Sequence, residues 1–219
     1  MTILRMLAKR NLDLGRSRNR TCCRLHAMLC ELVAGGISKE MATSKAEELL
    51  GKVRAASAVE AERKRVALEL VDDLRRLDAQ LADSKRRITD AVAASATSLT
   101  NLFGVGPVVA CKLIGYSGDV RRFASHDHFA SYNGTAPIEI SSGGRIRHRL
   151  SRRGNRQLNH AIHIAAVTQI GHRHSQGRTF YDRKIAEGKT KKEALRALKR
   201  RISDAVYRQL LVDVARSSR

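Results

Sequence analysis

Tryptophan is absent from this 219-residue chain, and aromatic residues reach only 4%. Extended platforms for base stacking, which need ranks of exposed rings, are therefore disfavoured. Proline occurs twice and strand-like runs are few, so the chain should be mainly α-helical. No long apolar run is present and residues 1–10 lack a signal-peptide pattern, which argues against a membrane partner. The four cysteines (Cys22, Cys23, Cys30 and Cys111) form no C-x-x-C pair and no metal-ligand spacing. Reduced thiols in a cytoplasmic, nucleoid-associated protein are the simplest reading. Acid is also scarce: 21 Asp and Glu stand against 42 Lys and Arg, a formal net charge of +21. Such a field concentrates polyanions, and nucleic acid is the commonest of these.

Where the imbalance is greatest, residues 140–156 read Ile-Ser-Ser-Gly-Gly-Arg-Ile-Arg-His-Arg-Leu-Ser-Arg-Arg-Gly-Asn-Arg. No Asp or Glu occurs between Glu139 and Asp182. Arg145, Arg147 and Arg149 alternate with Ile146, His148 and Leu150, the period of a short β-ribbon that aims guanidiniums to one side. Arg152, Arg153 and Arg156 follow, and Ser151 is placed to cap a helix beginning near Arg152. Guanidiniums grip phosphate oxygens through paired hydrogen bonds, and Gly143 lets a phosphate approach beside Ser142. A solvated basic loop is the bland alternative.

The remaining chain reads as helices. Residues 2–33 carry spaced leucines under a coat of arginines, and Gly35 and Gly36 stop them. A short amphipathic helix lies within residues 38–50 and a long one at about 58–96. In the latter, Leu70, Leu74, Leu77, Leu81, Ser84, Ile88 and Ala91 form a heptad seam. A coiled coil making a homo-oligomer, or a hairpin with the first helix, would cover it. Residues 99–114 have the form of a helix-hairpin-helix, with a Gly104-Val105-Gly106 turn before Pro107. Gly104 and Gly106 would cradle a DNA phosphate and Lys112 would pair with it. Residues 125–130 form a short helix, residues 155–170 a longer one, residues 172–184 a loop, and residues 190–214 a final amphipathic helix. His160, His163, His172 and His174 lack a carboxylate or thiol at matching spacing, so they are read as surface or phosphate-facing groups and no metal site is assigned. The expected domains are 1–97, helical linker and coiled coil, and 98–215, a mostly helical DNA-binding domain with the ribbon.

In order, the Gly-Val-Gly-Pro turn, Arg122-Phe123, Tyr132 to Pro137, Ser141-Ser142-Gly143-Gly144 and Leu150 to Leu158 are followed by Phe180-Tyr181 and a Lys-rich helix. Over residues 99–211 this resembles the C-terminal transposase domain of the DEDD-type insertion-sequence transposases, relatives of the Piv and MooV DNA invertases. The resemblance implies transposition or site-specific recombination, in which a serine hydroxyl attacks a DNA phosphodiester to leave a phosphoserine link and a free 3′-OH. It carries that role to Ser142, with Ser141 as the neighbouring alternative. DNA is the implied partner, and a structured guide RNA a second one, as in some members. The family's RuvC-like domain, with its Mg²⁺-binding carboxylates, has no counterpart before residue 99. Mg²⁺ is thus expected only with that missing domain, and no cofactor in this chain itself. A truncated transposase follows from this reading. Its rivals are a catalytically inactive nucleic-acid-binding regulator of intact transposase and a coiled-coil adaptor.

Overall fold

The computed structural model describes residues 2–33, 43–142, 145–150 and 154–217, with residues 138–142 and 145–150 described by backbone pairing alone. Eight helices and one two-stranded ribbon are present among them, so the fold is mainly α as the composition implies. The helices are α1 (Thr2–Leu32), α2 (Thr43–Lys52), α3 (Ala58–Ala94), α4 (Pro107–Ser117), α5 (His126–Asn133), α6 (Arg156–Gly171), α7 (Gln176–Ala186) and α8 (Lys191–Ser217). The ribbon strands are β1 (Pro137–Ser142) and β2 (Arg145–Leu150). Packing divides the chain into one unit of Lys9–Arg87 and another of Met1–Ala8 with Ile88–Arg219. The division drawn from the sequence at residue 97 thus assigned the start of α1 and the end of α3 differently.

In the Lys9–Arg87 unit, α1 and α3 run antiparallel, as their cross-pairs require. Arg18 reaches Asp78 at 2.5 and 3.3 Å, Glu31 meets Arg63 at 2.8 Å, and Asn11 Nδ2 donates to Ser84 Oγ at 3.2 Å. Leu25, Leu29, Ala46, Leu50, Ala67, Val71 and Leu74 are buried together between α1, α2 and α3. The heptad seam is therefore covered largely from within: Leu74 is buried here, and Leu70 packs at the edge of the same cluster. Ser84, the weak point of a coiled-coil seam, is buried because Asn11 satisfies its hydroxyl. The hairpin with the first helix is what forms, and the face proposed for self-association is mostly spent inside the chain.

The larger unit is assembled around α6. This helix buries Leu158, Ala161, Ile162, Ala165 and Ala166, whose small members let α4, α7 and α8 approach closely. Leu4, Leu7, Ile88 and Val92 belong to the same core, as do Phe123, Phe129 and Tyr207. Phe123 and Phe129 meet edge to face at 5.2 Å, and the Tyr207 hydroxyl donates to the Phe123 carbonyl at 3.0 Å. Cys111 is fully buried, and its thiol donates to the Leu4 carbonyl at 3.2 Å.

Three local expectations change. The helix after the ribbon begins at Arg156 and is capped by Asn155, whose side-chain oxygen accepts from the backbone N–H groups of Gln157 and Leu158. Ser151, the expected cap, lies outside the described residues. Residues 172–184, expected as a loop, hold most of α7. Its signals were a Ser175 cap accepting from Arg178 N–H and an Arg178–Asp182 pair one turn apart, at 2.7 Å. Gly177, which suggested a loop, is instead a point of close packing, since a Cβ there would overlap the Gln169 side chain. Finally, the helix-hairpin-helix has its second helix, α4, but only a 3-10 turn (Leu99–Asn101) before the glycines. Asp213 on α8 pins that turn, accepting from Ser98 N–H at 3.0 Å and from the Thr97 hydroxyl at 2.7 Å.

Candidate nucleic-acid interface

The ribbon grows from a braced base. Asn133, at the end of α5, is completely buried, and every polar atom of its amide is used. Its Nδ2 donates to Ser203 Oγ at 2.8 Å, while its Oδ1 accepts from the hydroxyl and backbone N–H of Thr135 at 2.6 and 3.1 Å. Asn159 Nδ2 donates to the Asn133 carbonyl at 2.9 Å, and Asn155 N–H to the Tyr132 carbonyl at 2.6 Å. The segment entering the ribbon is thus tied to the segment leaving it. Gly134 turns the chain with φ +73°, and a Cβ on Gly154 would fall 2.5 Å from the Gly134 Cα, so a side chain has no room. Beside this base the Arg122 guanidinium lies 4.3 Å from the Phe123 ring centre and 4.4 Å from that of Tyr132.

Antiparallel pairing sets Ile138 opposite Arg149, Ile140 opposite Arg147, and Ser142 opposite Arg145. Pro137, Glu139 and Ser141 pair with Leu150, His148 and Ile146. Directly opposed residues share a face and alternate residues repeat it. Ser142 therefore occupies the same row as Arg145, Arg147 and Arg149, and Ser141 the other row. Of the remaining expected contacts here, Gly143, Arg152 and Arg153 lie outside the described residues. Arg156 is exposed at the first position of α6.

The glycine turn separates into two cases. Gly104 has φ +82°, and a Cβ there would sit 2.7 Å from the Ala165 carbonyl oxygen. Its lack of a side chain is thus required by packing on α6, whatever else approaches it. Gly106 is exposed, caps α4 with extended backbone, and has no atom within 4 Å of where a Cβ would be. Lys112, on α4, is half-buried, and burial pulls its pKa down. It acts electrostatically on His160 of α6, so Lys112 and the helix begun by Arg156 come together.

Sequence reading missed the buried members of this surface. Lys199 on α8 is only 8% exposed, and its ammonium donates to Asn159 Oδ1 at 2.6 Å. Its signal was positional: Lys199, Ser203 and Tyr207 continue the buried stripe of Leu198, Ile202 and Val206. Among the described residues no three His, Cys, Asp or Glu gather at metal-binding spacing. Nor is any helix among them long and apolar enough to cross a membrane.

Residues 96–182 match the family model of the IS116/IS110/IS902 transposases. Over 113 residues the chain is 38% identical to the 43.6 kDa protein of insertion element IS110 from Streptomyces coelicolor, covering 51% of this chain and 28% of that protein. It is 34% identical over 118 residues to the 42 kDa protein of insertion element IS900 from Mycobacterium paratuberculosis, covering 52% and 29%. A pilin gene-inverting protein of Moraxella lacunata is 34% identical over 119 residues, covering 52% and 37%. The matched part thus spans little more than a third, at most, of these relatives' length. The chain is a partial match to the IS116/IS110/IS902 transposase family, through the segment that holds α4, α5, the ribbon and α6.

Proposed function

We propose that this chain acts in DNA transposition or site-specific recombination, binding DNA through the arginine row of the ribbon and offering Ser142 as the strand-cleaving nucleophile. The observation that carries this reading is the pairing of Ser142 with Arg145, in one row with Arg147 and Arg149, inside the segment that matches the transposase family. In the proposed step Ser142 Oγ bonds to the scissile phosphorus and the bond from phosphorus to the 3′ oxygen breaks. The 3′ oxygen leaves with a proton as a free 3′-OH, and the serine keeps the 5′ phosphate as an ester. One P–O bond replaces another, so the step is near balance and reversible, as strand exchange requires. Charge grows on the non-bridging oxygens in the transition state, and arginines in the same row of the ribbon as Ser142 are suited to stabilise it.

Binding should be electrostatic first. With a net charge of +21 acting through six or more phosphate contacts, affinity for duplex DNA should fall about 10³-fold or more between 50 and 200 mM salt. The decisive experiment is incubation with nicked suicide DNA substrates, with and without a domain carrying the family's metal-binding carboxylates, scored for a covalent adduct on a denaturing gel. Ser142→Ala should remove the adduct and leave salt-dependent binding nearly intact. An adduct that survives in Ser142→Ala and is lost in Ser141→Ala would overturn the assignment. Tight binding with no adduct under any condition would leave a nucleic-acid-binding regulator in its place.

A further inference from the structure

Lys199 is the one charged residue in the buried class among the described residues. An ammonium carries three donors, and here a single acceptor, Asn159 Oδ1, is provided. No ion pair to Lys199 or to Lys112 exists among the described residues, although both are withdrawn from water and burial pulls both pKa values down. A buried amine without a counter-charge costs free energy that a bound anion would offset.

Between the two lysines lies the polar stripe of α6. At about 100° per residue, Asn159, His160 and His163 fall on one arc, and Arg156 begins it one turn earlier. Neither α4 nor α6 contains an Asp or Glu. The charged groups acting on His160 are Lys112 from α4, Lys199 from α8, and His163; on His163 it is Lys199. Among the described residues α5 and α7, also packed on α6, bring no charge to bear on either ring. Partial burial, then these cations, hold both imidazoles below the usual histidine range. The two rings thus lie on α6 beside two under-partnered ammonium groups, the buried Lys199 and the half-buried Lys112.

We propose that Lys112, His160, His163 and Lys199 form a second phosphate site, between α4, α6 and α8 and apart from the ribbon, that takes a backbone phosphate of a nucleic acid with uptake of a proton. A neutral imidazole offers one N–H and an imidazolium two, so protonation adds a donor and a charge where the anion sits. A phosphodiester stays singly charged at neutral pH, so any pH dependence of binding there reports the rings and not the ligand. The site rests on the nucleic-acid-binding reading given above and makes a separate demand of it. Binding must strengthen as pH falls, with up to one proton per ring, because the bound state holds more protons than the free one.

The test is fluorescence anisotropy of the full chain with a labelled DNA duplex at fixed ionic strength, between about pH 6 and pH 8. The expected result is roughly tenfold tighter binding at the acid end, corresponding to about one proton taken up over part of that range. The double variant His160→Gln/His163→Gln should flatten the pH dependence while keeping a steep salt dependence from the ribbon. Lys112→Gln should weaken binding and lower the salt slope by about 1. His160 is exposed and His163 half-exposed, so the double variant should fold, and circular dichroism will verify it. Salt-dependent binding that does not vary with pH, or pH dependence that survives the double variant, would overturn the site alone. Absence of DNA binding at every pH would overturn the functional reading beneath it. Competition by polyglutamate as effective as by DNA, lost with the two histidines, would replace the phosphate by a protein carboxylate and so also reject the proposal.

Discussion

Gly154 stands against Gly134 with no space for a methyl group on Gly154, and this joins the two ends of the ribbon. A Cβ on Gly154 would lie 2.5 Å from Gly134 Cα and N and 2.9 Å from the Asn133 carbonyl carbon. All of these are backbone atoms, which cannot swing aside. Gly154→Ala should therefore cost about 1–3 kcal/mol, the range for overpacking, and shift the ribbon from its base. Urea denaturation measures the first effect and DNA affinity the second. Wild-type stability in the variant would show that the base yields without loss.

Gly104→Ala and Gly106→Ala should separate packing from binding. At Gly104 the added Cβ meets the Ala165 carbonyl at 2.7 Å in a backbone with φ +82°, so a loss of about 1–3 kcal/mol is expected. At Gly106 the backbone is extended and the space open, so stability should change by less than about 0.5 kcal/mol. If the turn holds a phosphate, Gly106→Ala should weaken DNA binding at unchanged melting temperature. Equal thermal shifts in the two variants would contradict the packing account.

Leu74→Asp should unfold and not dissociate. Leu74 is buried with Val71, Ala67, Leu29 and Leu50 of the same chain, so an aspartate there loses apolar burial and strands a charge. A destabilisation of about 3 kcal/mol or more is expected. Sedimentation should show the same mass for wild type and for whatever variant remains folded. A folded variant of half the wild-type mass would instead place the seam between two copies.

Cys111 should be silent to thiol reagents in the native protein, whereas Cys23 and Cys30, both exposed, should react at once. Burial pushes the Cys111 thiol up to about 11 from an ordinary value of 9.0. Because the folded-state value is the raised one, its contribution to stability is fully present below about pH 9 and is lost as pH rises towards 11. Denaturant midpoints measured across that window should fall in the wild type and fall less in Cys111→Ala. A flat profile in both would remove the thiol from the account.

Much of the fold was written in spacing that a reader can count. The leucines of α1 and α3, Pro107 at the start of α4 and the alternation of the ribbon each follow from one local rule, and each appears where that rule puts it. What escaped was set by contacts distant in the chain. Asn155 and Ser151 are both acceptable caps by residue type, and the tie from Asn155 to Tyr132, which no local rule announces, holds Asn155 at the start of α6. Gly177 looked like a loop breaker until Gln169 was seen to need its space. Lys199 hid among apolar neighbours because its partner, Asn159, lies 40 positions earlier. The serine row was legible only in part: alternation placed the arginines together, but which serine joins them depends on the pairing partner across the turn.

That dependence is a matter of register. Ser142 and Arg145 are directly opposed across two residues, so the later serine of the pair falls in the arginine row. Deleting a single residue from this two-residue turn would force a slip that sets Ser141 opposite the first arginine, while leaving composition, charge and strand length almost untouched. A chain with adjacent serines at this place thus holds a spare hydroxyl for the slipped register. Charting turn length against adduct position in engineered variants would reveal whether the cleavage point moves from one serine to the other in step with the count.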